Sequence, residues 1–204
     1  MESMAEPLSE QGMDLLFREG RSYNGYLDKP VGEDQLRRIW DLMKFGPTSA
    51  NLFPARIVWC VSQEAKDKLA GLASGTNAAK IVKAPVTAII GMDMAFYDHA
   101  PRLFPVSDAR SWFMDAEGAP NAPLVHATAM RNSSLQGAYF IFAARALGLD
   151  TGPMSGFDND AVDAAFFAGT TVKSNFISTI GYGDPATIFE RLPRPAFEEF
   201  TRIA

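Results

Sequence analysis

The stretch from Ala127 to Leu147 constrains this chain more than any other, because its apolar residues recur at helical spacing and on nearly every side. Met130, Leu135, Ala138, Tyr139, Ile141, Phe142, Ala143, Ala144 and Leu147 leave little polar face, and Gly148 stands where such a helix ends. A helix of this kind has to be covered all round, at the centre of a fold or against a second copy of the chain. The chain has 204 residues and 47% hydrophobic content, which suits one domain over 1–204. Within that size a partner subunit covers the helix more readily than the chain's own remaining elements.

Shorter elements surround it. Residues 1–9 predict a flexible lead-in and 9–18 a first helix. Gly32-Glu33-Asp34 opens a second helix running to Lys44, with its acids in the first turn where the helix dipole favours them. Ile57 to Val61 predicts a strand, and Ser62 caps a short helix to about Leu72. Ala84 to Met92 is almost wholly apolar, as a strand covered on both faces should be. Residues 93–123 hold Phe96, Tyr97, Phe104, Trp112 and Phe113 among Pro101, Pro105, Pro120 and Pro123. They read as a long irregular segment, either a lid or substrate wall or a packed surface excursion. Asp160 to Phe167 predicts a helix, Asn175 to Gly183 a strand ending in a glycine turn, and Arg191 to Pro195 an extended basic tail. Strands and helices mix without regular βαβ alternation, so the expected class is α+β.

Composition excludes several functions. The net charge is −5 and the 19 Lys and Arg are dispersed, which argues against a nucleic-acid partner. No apolar run reaches the roughly 18 residues of a membrane span, and the acidic start lacks the apolar core of a signal peptide, so a soluble cytoplasmic protein is expected. Cys60 is the single cysteine and sits in a strand pattern, as a buried thiol does. His99 and His126 have no metal-ligand partner at i+3 or i+4, so no metal site is expected. There is no G-x-G-x-x-G after a strand, no Walker loop and no G-x-S-x-G elbow.

Two loops of small polar residues remain, each beside an apolar element. Pro47-Thr48-Ser49-Ala50-Asn51-Leu52-Phe53-Pro54 joins the second helix to the first strand, and Gly152-Pro153-Met154-Ser155-Gly156-Phe157 follows the long helix. Such loops offer hydrogen-bonding groups to a planar or anionic ligand. Arg21 and Ser22 near one end of the chain, Arg191 near the other, and Asn77 and Lys80 three residues apart add donors and charge. The arginine fork matches a phosphate. On the residues alone, solvated surface charge is the alternative for each.

Taken in order, Gly20-Arg21-Ser22-Tyr23-Asn24-Gly25-Tyr26, Pro47-Thr48-Ser49-Ala50-Asn51, Asn77 with Lys80, Ala146-Leu147-Gly148-Leu149, Pro153-Met154-Ser155-Gly156-Phe157 and the late glycine turn are similar to the nitroreductase-like flavoprotein family. The resemblance spans about residues 10–195. Asp108-Ala109-Arg110-Ser111-Trp112-Phe113 and Arg131-Asn132-Ser133-Ser134 narrow it toward the branch that reduces malonic semialdehyde in pyrimidine degradation. The resemblance implies a central mixed β-sheet flanked by helices, and a homodimer with FMN at the subunit interface. It implies that Arg21, Ser22, Asn24, Asn77, Lys80 and Arg191 hold the phosphate, ribityl and pyrimidine groups. Pro153, Met154, Ser155 and Gly156 would lie against the flavin, and Pro47, Thr48, Ser49 and Asn51 would reach the partner's flavin.

Two departures stand out: Gly20 and Asn24 replace residues that are often basic in the family, and Ala55 follows Pro54 where a Trp is frequent. The activity implied is hydride relay from NADH or NADPH through flavin to a small-molecule acceptor, with Lys80 and Ser155 as catalytic candidates. Arg110 or Arg131 would meet the carboxylate of malonic semialdehyde. A broad nitroaromatic or quinone reductase is the alternative, and a non-catalytic flavin-binding protein a further one.

Overall fold

The computed structural model describes residues 6–204, so most of the expected flexible lead-in, residues 1–5, lies outside the described residues. Helix α1 (Glu10–Met13) is capped by Ser9, whose hydroxyl accepts the Gly12 N–H at 3.2 Å, and it continues as a π-helical turn over Asp14–Arg18. Helix α2 (Glu33–Met43) buries Leu36, Ile39 and Met43 along one face, as its apolar spacing predicts. Strand β1 (Ala55–Cys60) is followed by α3 (Gln63–Ala70), where Ser62 accepts the Ala65 N–H, and by α4 (Asn77–Lys83). Then come β2 (Val86–Asp93), a short α5 (Ala100–Leu103), the long α6 (Ala122–Ala146), β3 (Asp150–Met154), α7 (Asn159–Phe166), β4 (Val172–Gly181) and a single-turn α8 (Phe197–Phe200).

The strands form one sheet in the order β1-β2-β4-β3, and all three pairings are antiparallel. The α+β class is as expected; the mixed sheet is not. Parallel pairing in the described chain is limited to one isolated bridge, Ser22 with Thr151. Every residue of β2 is buried. Val86, Ala88 and Ile90 pack with Leu36, Ile39 and Phe140 of α2 and α6, whereas Ile89 packs with Leu69, Ile81 and Val162 of α3, α4 and α7. The sheet is therefore a middle layer with helices on both faces, and a continuous apolar run is what such a strand needs.

Helix α6 begins five residues earlier than its apolar pattern does. The Asn121 side chain accepts the Leu124 N–H and Pro123 sits in the first turn, where its missing N–H costs nothing. At the other end Gly148 has φ +72°, with Leu149 N–H donating to Ala144 O at 3.0 Å and Gly148 N–H to Arg145 O at 2.9 Å. That pair of bonds closes the helix as a Schellman turn. The segment 93–123 contains short helical turns and a core of its own, in which Phe96 meets Phe113 edge-on at 4.8 Å between Leu52, Met92, Val125 and Ala129.

Candidate active site: two half-sites at opposite edges of the sheet

Strand β3 was expected to be part of a loop. Its outer side carries no further strand, and an edge tolerates Pro153. Here the segment after α1 comes alongside. Ser22 bridges Thr151, and the Tyr23 N–H donates to Thr151 O at 3.1 Å. Gly152 permits that approach, since a Cβ there would stand 2.5 Å from Tyr23 O. The Tyr26 hydroxyl lies 2.7 Å from Thr179 Oγ1, and burial pushes its phenol well above the ordinary value. The late chain folds back on the same segment: the Asn24 amide donates to Thr187 O at 3.0 Å and the Arg21 guanidinium to Phe189 O. Arg191 follows, exposed.

Helix α4 meets the other end of β3. Asn77 Nδ2 donates to Gly156 O at 3.1 Å, and the Ser74 N–H donates to the same oxygen at 3.0 Å. A Cβ on Gly156 would come within 2.7 Å of Asn77 Nδ2, so only glycine fits this junction undisturbed. Lys80 stands one turn along α4, half-buried and with no ion pair among the described residues. Ser155 is exposed beside the junction and Met154 is half-buried. The edge thus gathers Arg21, Ser22, Asn24, Asn77, Lys80, Pro153, Met154, Ser155, Gly156 and the irregular segment leading to Arg191.

At position 20 the space that a side chain would take is occupied from another element. The Arg145 guanidinium lies directly over Gly20, where a Cβ would be 2.4 Å from its Cζ, and Arg145 Nη1 donates to Leu16 O at 2.8 Å. Burial lowers the pKa of Arg145; Asp150 opposes that shift and the nearby charge of Arg191 adds to it. Burial raises the pKa of Asp150, against the Gly183 N–H that its Oδ2 accepts at 2.9 Å and against Arg145. Neither residue was singled out from sequence. The signal available was a glycine at position 20 and an arginine in the last turn of α6.

The second half-site is the loop before β1. Ala50, Asn51 and Phe53 have φ of +46°, +52° and +49°, a conformation uncommon outside glycine. Several bonds hold it. The Ser49 N–H donates to Asn132 Oδ1 at 2.8 Å, the Ala55 N–H to Gln136 Oε1 at 2.8 Å, Asn51 Nδ2 to Leu103 O at 2.8 Å, and the Tyr139 hydroxyl to Pro47 O at 2.9 Å. Thr48 Oγ1 accepts the Phe53 N–H at 3.4 Å. Asn132 and Gln136 lie one turn apart on α6 and are buried there. In the sequence Asn132 belongs only to the Arg131-Asn132-Ser133-Ser134 match, and no local signal marks it as the anchor of this loop.

The two half-sites do not meet within one chain. The loop precedes β1, at the opposite edge of the sheet from β3 and near the opposite strand end, since Ala55 pairs with Met92 whereas Thr151 pairs with Ile180. Strand spacing and rise put roughly 20 Å of helix-covered sheet between them. Arg110 and Arg131 lie elsewhere. Arg110 Nε donates to Asp98 Oδ1 at 2.8 Å, which raises its pKa, and its guanidinium lies 5.7 Å from the Tyr97 ring centroid. Arg131 is exposed on α6. Among the described residues no group of three His, Cys, Asp or Glu is arranged to hold a metal, and no helix is long and apolar enough to cross a membrane.

The sequence pattern of the Nitroreductase family matches residues 18–182. A Burkholderia lata protein, provisionally named NADH dehydrogenase/NAD(P)H nitroreductase, is 58% identical over 196 residues, 96% of this chain and 98% of its own. A provisionally named nitroreductase of Bacillus subtilis has a similar fold, with a TM-score of 0.86, 24% identity, and 96% and 100% of the two chains covered. A provisionally named nitroreductase of Exiguobacterium sibiricum, solved with FMN, gives a TM-score of 0.81 at 19% identity over 98% and 100% of the chains. Likeness at those identities is one of fold; the sequence match carries the relationship. The chain belongs to the Nitroreductase family.

Proposed function

We propose that this chain is an FMN-dependent NAD(P)H oxidoreductase whose flavin lies along the outer edge of β3 and is completed by the 47–51 loop of a second copy. The observation that carries this reading is the convergence of donors on β3 together with the separation of that loop to the opposite edge. The donor set suits FMN. Arg21, Arg191 and Arg145 supply cations for a phosphate, Ser22, Asn24 and Asn77 supply neutral donors, and the Gly156 junction leaves room where a side chain would intrude. When bound, FMN would supply two-electron hydride chemistry between NADH or NADPH and the acceptor. The protein's part is position and charge: Lys80, with no carboxylate partner among the described residues, would stabilise negative charge on a bound pyrimidine edge, and Ser155 would stand beside the bound group.

A two-chain arrangement is also favoured by the apolar surface left uncovered. Leu135 on α6, Leu15 and Phe17 beside α1, and Phe189, Leu192, Phe197, Phe200 and Ile203 of the tail are all exposed. The acceptor proposed is malonic semialdehyde, reduced to 3-hydroxypropanoate, with Arg110 or Arg131 meeting its carboxylate and residues 93–123 forming the wall. The name of the Burkholderia relative favours a second reading, reduction of nitroaromatics.

The test is a visible absorption spectrum before and after anaerobic NADH or NADPH, followed by each acceptor. A yellow protein that bleaches and recovers its colour supports the reading, and the acceptor with the higher kcat/KM chooses between the two versions. A colourless protein that takes up no added FMN contradicts both.

A further inference from the structure

Beside the 47–54 loop lies a cavity of about 590 Å³ lined by Trp40, Lys44, Phe45, Asn51, Phe53, Arg56, His99, Arg102 and Leu103. Its floor is aromatic and aliphatic, and its rim is basic. The rim cations differ in what already neutralises them. Lys44 Nζ lies 2.6 Å from Asp41 Oδ1. Arg56 Nη2 lies 2.5 Å from Asp93 Oδ2, and its Nη1 donates to Phe53 O at 2.8 Å and Ala55 O at 3.0 Å. Asp93 also accepts from Thr171 Oγ1 at 2.6 Å and the Ala95 N–H at 2.9 Å, and His99 Nε2 stands 3.7 Å away. Arg102 alone among these cations has neither an ion pair nor a side-chain hydrogen bond among the described residues.

We infer that Arg102 is a further anion-binding residue of the acceptor site and that the cavity favours acceptors bearing a carboxylate. Three observations carry this. One positive charge is left over an apolar floor, which is complementary to a ligand with one anionic end and an apolar body. Asn51, in left-handed conformation, is tied to α5 through Leu103 O, next in sequence to Arg102, so the backbone that carries Arg102 is joined to the loop. Arg56, paired with Asp93, donates to Phe53 O and so ties the Phe53 backbone to β1. The inference rests on the proposed flavin reading: in a two-chain site this loop would border the partner's flavin, and the cavity beside it would be open to an acceptor. It adds a cation to Arg110 and Arg131, neither of which lines the cavity.

The experiment compares 4-nitrobenzoate with the neutral 4-nitrobenzyl alcohol in the purified protein and in Arg102→Gln and Arg102→Lys. Loss of a charge-assisted hydrogen bond at this site lowers the kcat/KM ratio of charged to neutral acceptor about tenfold or more in Arg102→Gln, mainly through KM. Arg102→Lys recovers part of it. Calorimetric titration of oxidised protein with 4-nitrobenzoate reads the same loss without turnover, and weaker binding at high salt accompanies it. Equal loss for both acceptors, or none for the carboxylate, overturns the inference. A protein without reducible flavin defeats the functional reading instead, and calorimetry still decides Arg102.

Discussion

Lys80 and Cys60 show how differently two single residues of this chain are placed. Lys80 is half-buried near the Gly156 junction with no ion pair among the described residues, so its charge is available to a ligand. Lys80→Ala is expected to weaken FMN binding or slow flavin reduction about tenfold, the scale of a charge-assisted hydrogen bond. Stopped-flow absorbance and FMN titration check it, and unchanged values remove Lys80 from the site. Cys60 ends β1, fully buried in a cluster with Leu69 and Ile89, and burial pushes its thiol up to about 11. It should resist a thiol reagent in the native protein and react fully in denaturant; rapid native labelling contradicts its placement. Asp150 gives a pH effect. Burial raises its folded pKa above the ordinary value, so the folded state holds the proton longer than the unfolded chain does. Its contribution to stability is therefore present at low pH and is lost as pH rises from about 4 through the folded pKa. Asp150→Asn should flatten that part of the stability profile in urea melts, and an identical slope contradicts the assignment.

At the scale of elements, close glycine contacts decide how the layers meet. On α6, a Cβ at Gly137 would stand 2.3 Å from the Phe176 ring. Alanine favours a helix over glycine by about 1 kcal/mol, but overpacking a core contact costs about 1–3 kcal/mol. Gly137→Ala should therefore destabilise the protein in urea melts, and a stabilised variant contradicts the packing described. Gly152→Ala should push the Ser22 segment off β3 and loosen FMN more than it lowers stability; intact FMN affinity contradicts the role given to that edge. The amphipathic α2, the apolar β2 and most of α6 were legible in the sequence because periodicity reports burial directly. Strand β3 was hidden, since Gly152 and Pro153 read as loop residues until an edge position and a close neighbour explain them. The sheet's antiparallel pairing was hidden too, because no local pattern fixes which distant strands meet. Family order led to the Asn77 and Gly156 motifs, but only the fold shows that they touch, or that Arg145 stands over Gly20.

The whole molecule has donors along one sheet edge, a strained loop at the other, and exposed apolar surface on α6, the α1 region and the tail. In the proposed two-chain arrangement a second copy would account for all three, and light scattering at micromolar concentration should then give a dimer. The most direct test combines two damaged chains, Arg21→Ala/Asn77→Ala and Thr48→Ala/Asn51→Ala, each with its own affinity tag. Each alone should lose flavin and NAD(P)H-dependent turnover. The co-expressed hybrid, purified through both tags, contains one intact composite site and should recover about half the flavin and turnover of the unaltered dimer. A hybrid no better than its two parents would contradict a site shared between chains.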